Sequence, residues 1–122
     1  MEVGEPERVR SGLSHYHTYP ISGRDSHGVI ECSRRYSNFF DFRHMLCNRF
    51  PGLYIPPVSR KTTVGKKGNE AVLLERRYFL DLFVKECCSL KYLAKSEELQ
   101  IFLRPEGDVS LAMAKQVRPK LD

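Results

Sequence analysis

The chain has 122 residues, 41% of them hydrophobic, which suits one domain with a modest core. Basic residues outnumber acidic ones, 20 − 15 = +5, and the isoelectric point is near 9.1. This balance favours acidic partners (phospholipid surfaces, nucleic acid or acidic peptides) without choosing among them. No apolar run approaches the ~18 residues of a membrane span, and the opening MEVGEPERVR is too charged for a signal peptide.

Residues 1–12 read as an irregular lead-in or edge strand carrying Val3 and Val9. Over 13–21, Leu13, His15, His17 and Tyr19 alternate with Ser14, Tyr16, Thr18 and Pro20, the period of a strand. The composition of SGRDSHG predicts a turn, and residues 29–33 a second strand, which makes a hairpin with the N-terminal segment as a third strand. Ser37 or Asn38 can start a helix, since Phe39, Phe42, Leu46 and Phe50 then share one face. Phe50-Pro51-Gly52 ends it. Residues 51–69 form a long connection in which Pro56-Pro57 enforces extended backbone, and Arg60, Lys61, Lys66 and Lys67 carry positive charge with no acid among them.

A second helix is predicted from about Glu70 to Cys88, with Leu73, Leu80, Phe83, Val84 and Cys87 as its buried stripe. Ser96 is an N-cap candidate for a short third helix carrying Leu99, Phe102 and Leu103. Strands first and helices after define an α+β class: a three-stranded antiparallel sheet packed against three to four helices. Residues 1–104 form the domain in this reading. Residues 105–122 read as a linker or the start of a following region. The cysteines (Cys32, Cys47, Cys87, Cys88) form no C-x-x-C pair and read as reduced, largely buried thiols of a cytosolic protein. His15 and His17 lack a third ligand in reach, so no metal site is expected.

Arg34-Arg35-Tyr36 stand between a strand and a helix start. Guanidinium forks match phosphate oxygens, a helix N-terminus adds free N–H donors, and tyrosine offers a flat face to the ring that carries the phosphate. Taken together with SRRYSNF, FPGLYIPP, ERRYFLDLF and a closing Phe102-Leu103, this order resembles the phox-homology (PX) domain of sorting nexins over nearly the whole chain.

The resemblance implies a module that binds phosphoinositides, most often phosphatidylinositol 3-phosphate, and recruits its protein to endosomal membranes from the cytoplasm. It implies that Arg35 grips the 3-phosphate, Tyr36 stacks under the inositol ring, Lys61 meets the 1-phosphate and Arg76 binds the ring hydroxyls. Arg34 would support the fold or meet the membrane's general negative field. Val58, Arg60, Val64, Lys66 and Lys67 would form the membrane-contacting loop. The expected partners are a phosphoinositide-containing membrane and other trafficking proteins, with no cofactor. The competing reading is a PX-like protein-interaction module with weak or absent lipid affinity. Nucleic-acid binding is disfavoured because the aromatics sit at core spacing. No nucleophile elbow, P-loop or metal cluster points to an enzyme. Pro56-Pro57-Val58-Ser59-Arg60-Lys61 contains no P-x-x-P, which argues against SH3 docking.

Overall fold

The structure, a computed structural model, describes residues 1–58 and 70–115. Strands β1 (Glu2–Val3), β2 (Glu7–Ser11), β3 (Ser14–Asp25) and β4 (Gly28–Arg35) form one antiparallel sheet. The long β3 is central. Thr18 pairs with both Glu7 and Arg35, and Ile21 with both Val3 and Cys32, so β1 and β2 occupy one edge of β3 and β4 the other. The sheet thus has the three expected positions, with the first strand split in two. Gly4 still donates to the Pro20 carbonyl at 2.8 Å, but Pro6 has no N–H to continue the ladder.

Both hairpins are tighter than their sequences suggest. Leu13, expected to open a strand, is instead the second residue of a two-residue turn and is fully exposed. Gly12 supplies the positive φ, 62°, that the first position of such a turn favours. The segment 22–28, expected to be a turn, pairs as far as Asp25↔Gly28 and leaves only Ser26-His27 as the loop. Backbone ladder bonds override the polar composition here, and the Asp25 carboxylate accepts the His27 N–H at 2.9 Å to close the loop.

Five helices follow among the described residues: α1 (Tyr36–Arg49), α2 (Glu70–Ser89), α3 (Lys91–Ala94), α4 (Glu97–Leu103) and α5 (Val109–Ala114). Phe39, Phe42 and Leu46 are buried as the periodicity predicts, and Met45 joins them. Phe50 is half-buried and meets Tyr92 edge-on. Phe102 ties the helices together: its ring stacks on Phe42 at 4.3 Å and meets Phe39 edge-on at 5.2 Å. Ser96 caps α4 by accepting the Leu99 N–H at 3.1 Å. On α2 the buried stripe starts at Val72 rather than Leu73 and continues through Leu80, Phe83, Val84 and Cys87.

The segment after Pro105 does not simply leave the domain. Asp108 accepts the Leu111 N–H and starts α5, which places Met113 in the core at 2% exposure. Asn38 on α1 also donates to the Ser110 hydroxyl. The packed unit therefore extends past residue 104, because one methionine supplies the bulk that the rest of the segment lacks. Met113→Ala should cost about 2–5 kcal/mol in urea unfolding, the range for an emptied core site.

Side chains clamp the sheet to the helices. Asp81 on α2 accepts the Val3 N–H at 2.8 Å and pairs with Lys85 at 2.7 Å. Arg104 grips Asp25 with both arms, at 2.8 and 3.0 Å, and reaches the Gly28 carbonyl at 3.2 Å. The four cysteines are unbridged, and burial pushes the thiols of Cys32, Cys87 and Cys88 up, away from the reactive thiolate.

The Arg104 hydrogen bonds hold the Asp25 carboxyl well below the usual carboxylate range. Its folded value is depressed, so the clamp stabilises fully above the unfolded value of about 3.9 and is lost as pH falls below it. Acid titration of thermal stability should show this loss below about pH 4, and Asp25→Asn should flatten it while costing about 1–2 kcal/mol at neutral pH.

Candidate functional site

Strand alternation decides what the two arginines of the SRRY segment do. Arg34 stands opposite Tyr19 and Arg35 opposite Thr18, so they project from opposite faces of the sheet. Arg34 turns toward the helices. Its Nε donates to the Phe102 carbonyl at 2.7 Å and its Nη2 to that of Leu103 at 3.4 Å, satisfying acceptors left open at the end of α4. Burial pushes its pKa down, yet guanidinium stays charged. Arg34 is a structural residue.

Arg35 ends β4 and precedes the first turn of α1. Its guanidinium is exposed and lies 4.2 Å from the centroid of the Tyr16 ring. Asn38, not Ser37, organises the junction: its Oδ1 accepts the Arg35 N–H at 2.8 Å, so α1 starts at Tyr36. The reciprocal half of a capping box is not available, because an arginine side chain carries donors only. The first-turn N–H groups of α1 thus receive no acceptor from the capping side chain, and they lie beside the Arg35 cation.

Tyr36 is half-buried, with its ring edge-on to Phe40 at 5.1 Å. The Arg76 guanidinium lies over the Tyr36 ring at 4.2 Å. Helical geometry explains how Arg76 arrives there. Val72, Arg76 and Leu80 follow at i, i+4 and i+8, so Arg76 lies on the stripe of α2 that is otherwise buried. Its Nε is buried and has no hydrogen-bond partner among the described residues. Tyr19 lies beneath: burial pushes its phenol up, and the Arg76 charge pulls the other way. Among the described residues, neither Arg35 nor Arg76 is ion-paired to a carboxylate.

The structure therefore brings Arg35, Tyr36 and Arg76 into one neighbourhood from β4, α1 and α2. Lys61, Arg60, Val64, Lys66 and Lys67 lie outside the described residues. Val58, expected in the membrane-contacting loop, is 7% exposed and packs in the core, so it has no free apolar surface for a bilayer. Tyr16, the platform under Arg35, was not singled out from sequence. Its signal was the alternation that places Tyr16 and Thr18 together, opposite Tyr19. No helix among the described residues is long and apolar enough to cross a membrane, and no group of three His, Cys, Asp or Glu among them could hold a metal ion.

The last strand of the sheet thus delivers Arg35 to a helix start, and the next long helix brings Arg76 over the adjoining Tyr36 ring. The chain belongs to the PX domain family, whose model matches residues 24–106. PX domains of sorting-nexin type generally bind phosphoinositides and are themselves non-catalytic. Sorting nexin 1 of Arabidopsis thaliana is 30% identical over 114 residues, covering 88% of this chain and 28% of that protein. The vacuolar protein sorting-associated protein vps5 of Schizosaccharomyces pombe is 26% identical over 112 residues, covering 87% and 19%. The chain thus spans less than a third of these relatives. In fold it is similar to a designed CISK-PX domain, with TM-score 0.72, 26% identity and coverage of 85% of this chain and 99% of that one. The mouse SNX19 PX domain with bound sulphate ion gives TM-score 0.60 at 24% identity, with coverage of 87% and 97%.

A charge on a buried stripe with an unpartnered donor is a cost to the fold. Arg76→Leu should leave thermal stability unchanged or raise it by up to about 1 kcal/mol, while weakening binding of a phosphorylated ligand.

Proposed function

We propose that this chain binds the headgroup of phosphatidylinositol 3-phosphate and brings the protein that carries it to endosomal membranes for trafficking. The observation that carries this reading is Arg76 lying over the ring of Tyr36, the residue next to the exposed Arg35: two cations 41 residues apart, with no carboxylate neutralising either among the described residues. Arg35 and the first-turn N–H groups of α1 grip the 3-phosphate. Tyr36 carries the inositol ring on the face that Arg76 now covers. Arg76 then moves aside to the ring hydroxyls at positions 4 and 5, exchanging a cation–π contact for hydrogen bonds. Lys61 neutralises the 1-phosphate. Arg60, Lys66 and Lys67 add long-range attraction to an anionic leaflet, about 1 kcal/mol each near the surface.

Charge-assisted hydrogen bonds contribute roughly 1.5–3 kcal/mol each, and desolvation and immobilisation offset much of their sum. The result is a reversible peripheral binder whose residence depends on the lipid. Vesicle co-sedimentation across the phosphoinositide series tests the reading. Selective binding to the 3-phosphate lipid is expected, falling at least about tenfold in Arg35→Ala, the loss of one such bond. Binding to no phosphoinositide overturns the reading in favour of a protein-interaction module. Equal binding to every anionic vesicle reduces the site to general charge.

A further inference from the structure

The outer side of α2 is unusually apolar. Leu74, Tyr78 and Leu82 follow at i, i+4 and i+8 and form one stripe, and all three are exposed. Tyr78, at its centre, is 65% exposed. Two neighbours widen the stripe into a patch. The exposed Phe79 ring meets Tyr78 edge-on at 5.2 Å, and the exposed Tyr54 donates to Glu86, one turn past Leu82, at 3.4 Å. These five side chains leave on the order of 600 Å² in water, the upper end of what a monomer exposes in one patch. Arg76 and Leu80 stand two residues to either side of Tyr78, so they point about 200° away from it. The patch and the candidate headgroup site therefore occupy opposite sides of α2.

We infer that two copies of this chain associate through α2, packed antiparallel about a two-fold axis beside Tyr78. The charges around the patch carry this choice of partner. Glu70, Glu75, Asp81 and Glu86 stand against Arg77 and Lys85, 2 − 4 = −2 in a chain of net charge +5. An acidic rim repels an anionic leaflet, so the apolar stripe is not a membrane face. Glu70, Arg77, Asp81 and Lys85 share one flank of the stripe, and their signs suit the same flank of a second copy. A two-fold axis across the helices keeps that flank on one side and reverses its order. About Tyr78, Lys85 then stands level with the partner's Glu70, and Arg77 falls within one turn of the partner's Asp81. Tyr78 meets its own counterpart, with leucines of both copies before and after it. Joining two such patches removes about 1,200 Å² in all, the lower end of specific interfaces, which makes the pair weak and reversible. The inference is independent of the headgroup reading, and each copy keeps its own Arg35 and Arg76 free of the contact.

Sedimentation equilibrium over a concentration series tests the pairing. The mass should rise from the 14.2 kDa of one chain toward twice that value, with a midpoint in the range of roughly 10–100 μM. Tyr78→Glu sets two like charges against each other at the axis and should weaken association at least about tenfold. Its melting temperature and its binding of soluble inositol 1,3-bisphosphate should stay at the wild-type level, since the side chain is exposed and faces away from Arg76. Lys85→Glu should weaken association, and Lys85→Glu combined with Glu70→Lys should restore it, because the antiparallel order pairs the exchanged charges again. A mass that stays at one chain up to about 0.5 mM, well above the range of such interfaces, overturns the pairing. Association untouched by Tyr78→Glu overturns it as well, by placing the contact elsewhere. Loss of inositol 1,3-bisphosphate binding by the wild-type chain with association intact overturns the headgroup reading and supports the pairing.

Discussion

The architecture of the site depends on one rung of the sheet, Thr18↔Arg35, and on the Asn38 amide that accepts the Arg35 N–H just beyond it. A strand sends successive side chains to opposite faces. Two adjacent arginines at its end therefore cannot do the same work: one faces the helices and the other does not. Slipping the strand by one residue in its pairing would exchange them. The cation that now satisfies the α4 carbonyls would turn outward, and the exposed one would have to be buried. Asn38 prevents this slip by tying the backbone at the point where extended geometry gives way to helix. Its own burial, at 6% exposure, and its bond to Ser110 hold that amide in place.

The second wall of the site follows from helical rather than strand periodicity. Arg76 occupies a position that Val72 and Leu80 mark as apolar, which buries its Nε without supplying a hydrogen-bond partner or an ion pair among the described residues. The Tyr36 ring face compensates part of that loss, as aromatic quadrupoles do for a desolvated cation. In the proposed complex an anion would meet a donor that the fold leaves unsatisfied, and the cost of burying that donor would be recovered on binding. Phe40 meets the Tyr36 ring edge-on and holds it from the side.

Much of this was legible in the order of the chain. The α+β class, the Phe39–Phe42–Leu46 face and the Ser96 cap all follow from period and capping chemistry, and the motif order pointed to the PX family. The misreadings have physical reasons. Leu13 alternates correctly with its neighbours, but Gly12 turns the backbone before it can pair. The polar run 22–28 looks like a loop because composition does not register backbone ladder bonds. Met113 is a single large residue in a weak segment, and only the cover it provides over α1 and α4 reveals its role. Val58 reads as part of a membrane-contacting loop from its place beside basic residues, yet it packs into the core. The placement of Arg76 could have been read one step further, since a cation spaced i+4 and i−4 from buried aliphatics must face inward.

That burial of Val58 bears on the remaining part of the site. Pro56 and Pro57 contribute no N–H donors, and the carbonyls of Ile55 and Pro56 need partners. Arg43 of α1 supplies them, with Nε to Pro56 at 2.9 Å and Nη2 to Ile55 at 3.3 Å, while the Tyr92 hydroxyl donates to the Tyr54 carbonyl. The chain is thus pinned to α1 until Val58 enters the core, and it is again part of a packed helix from Glu70, six residues before Arg76.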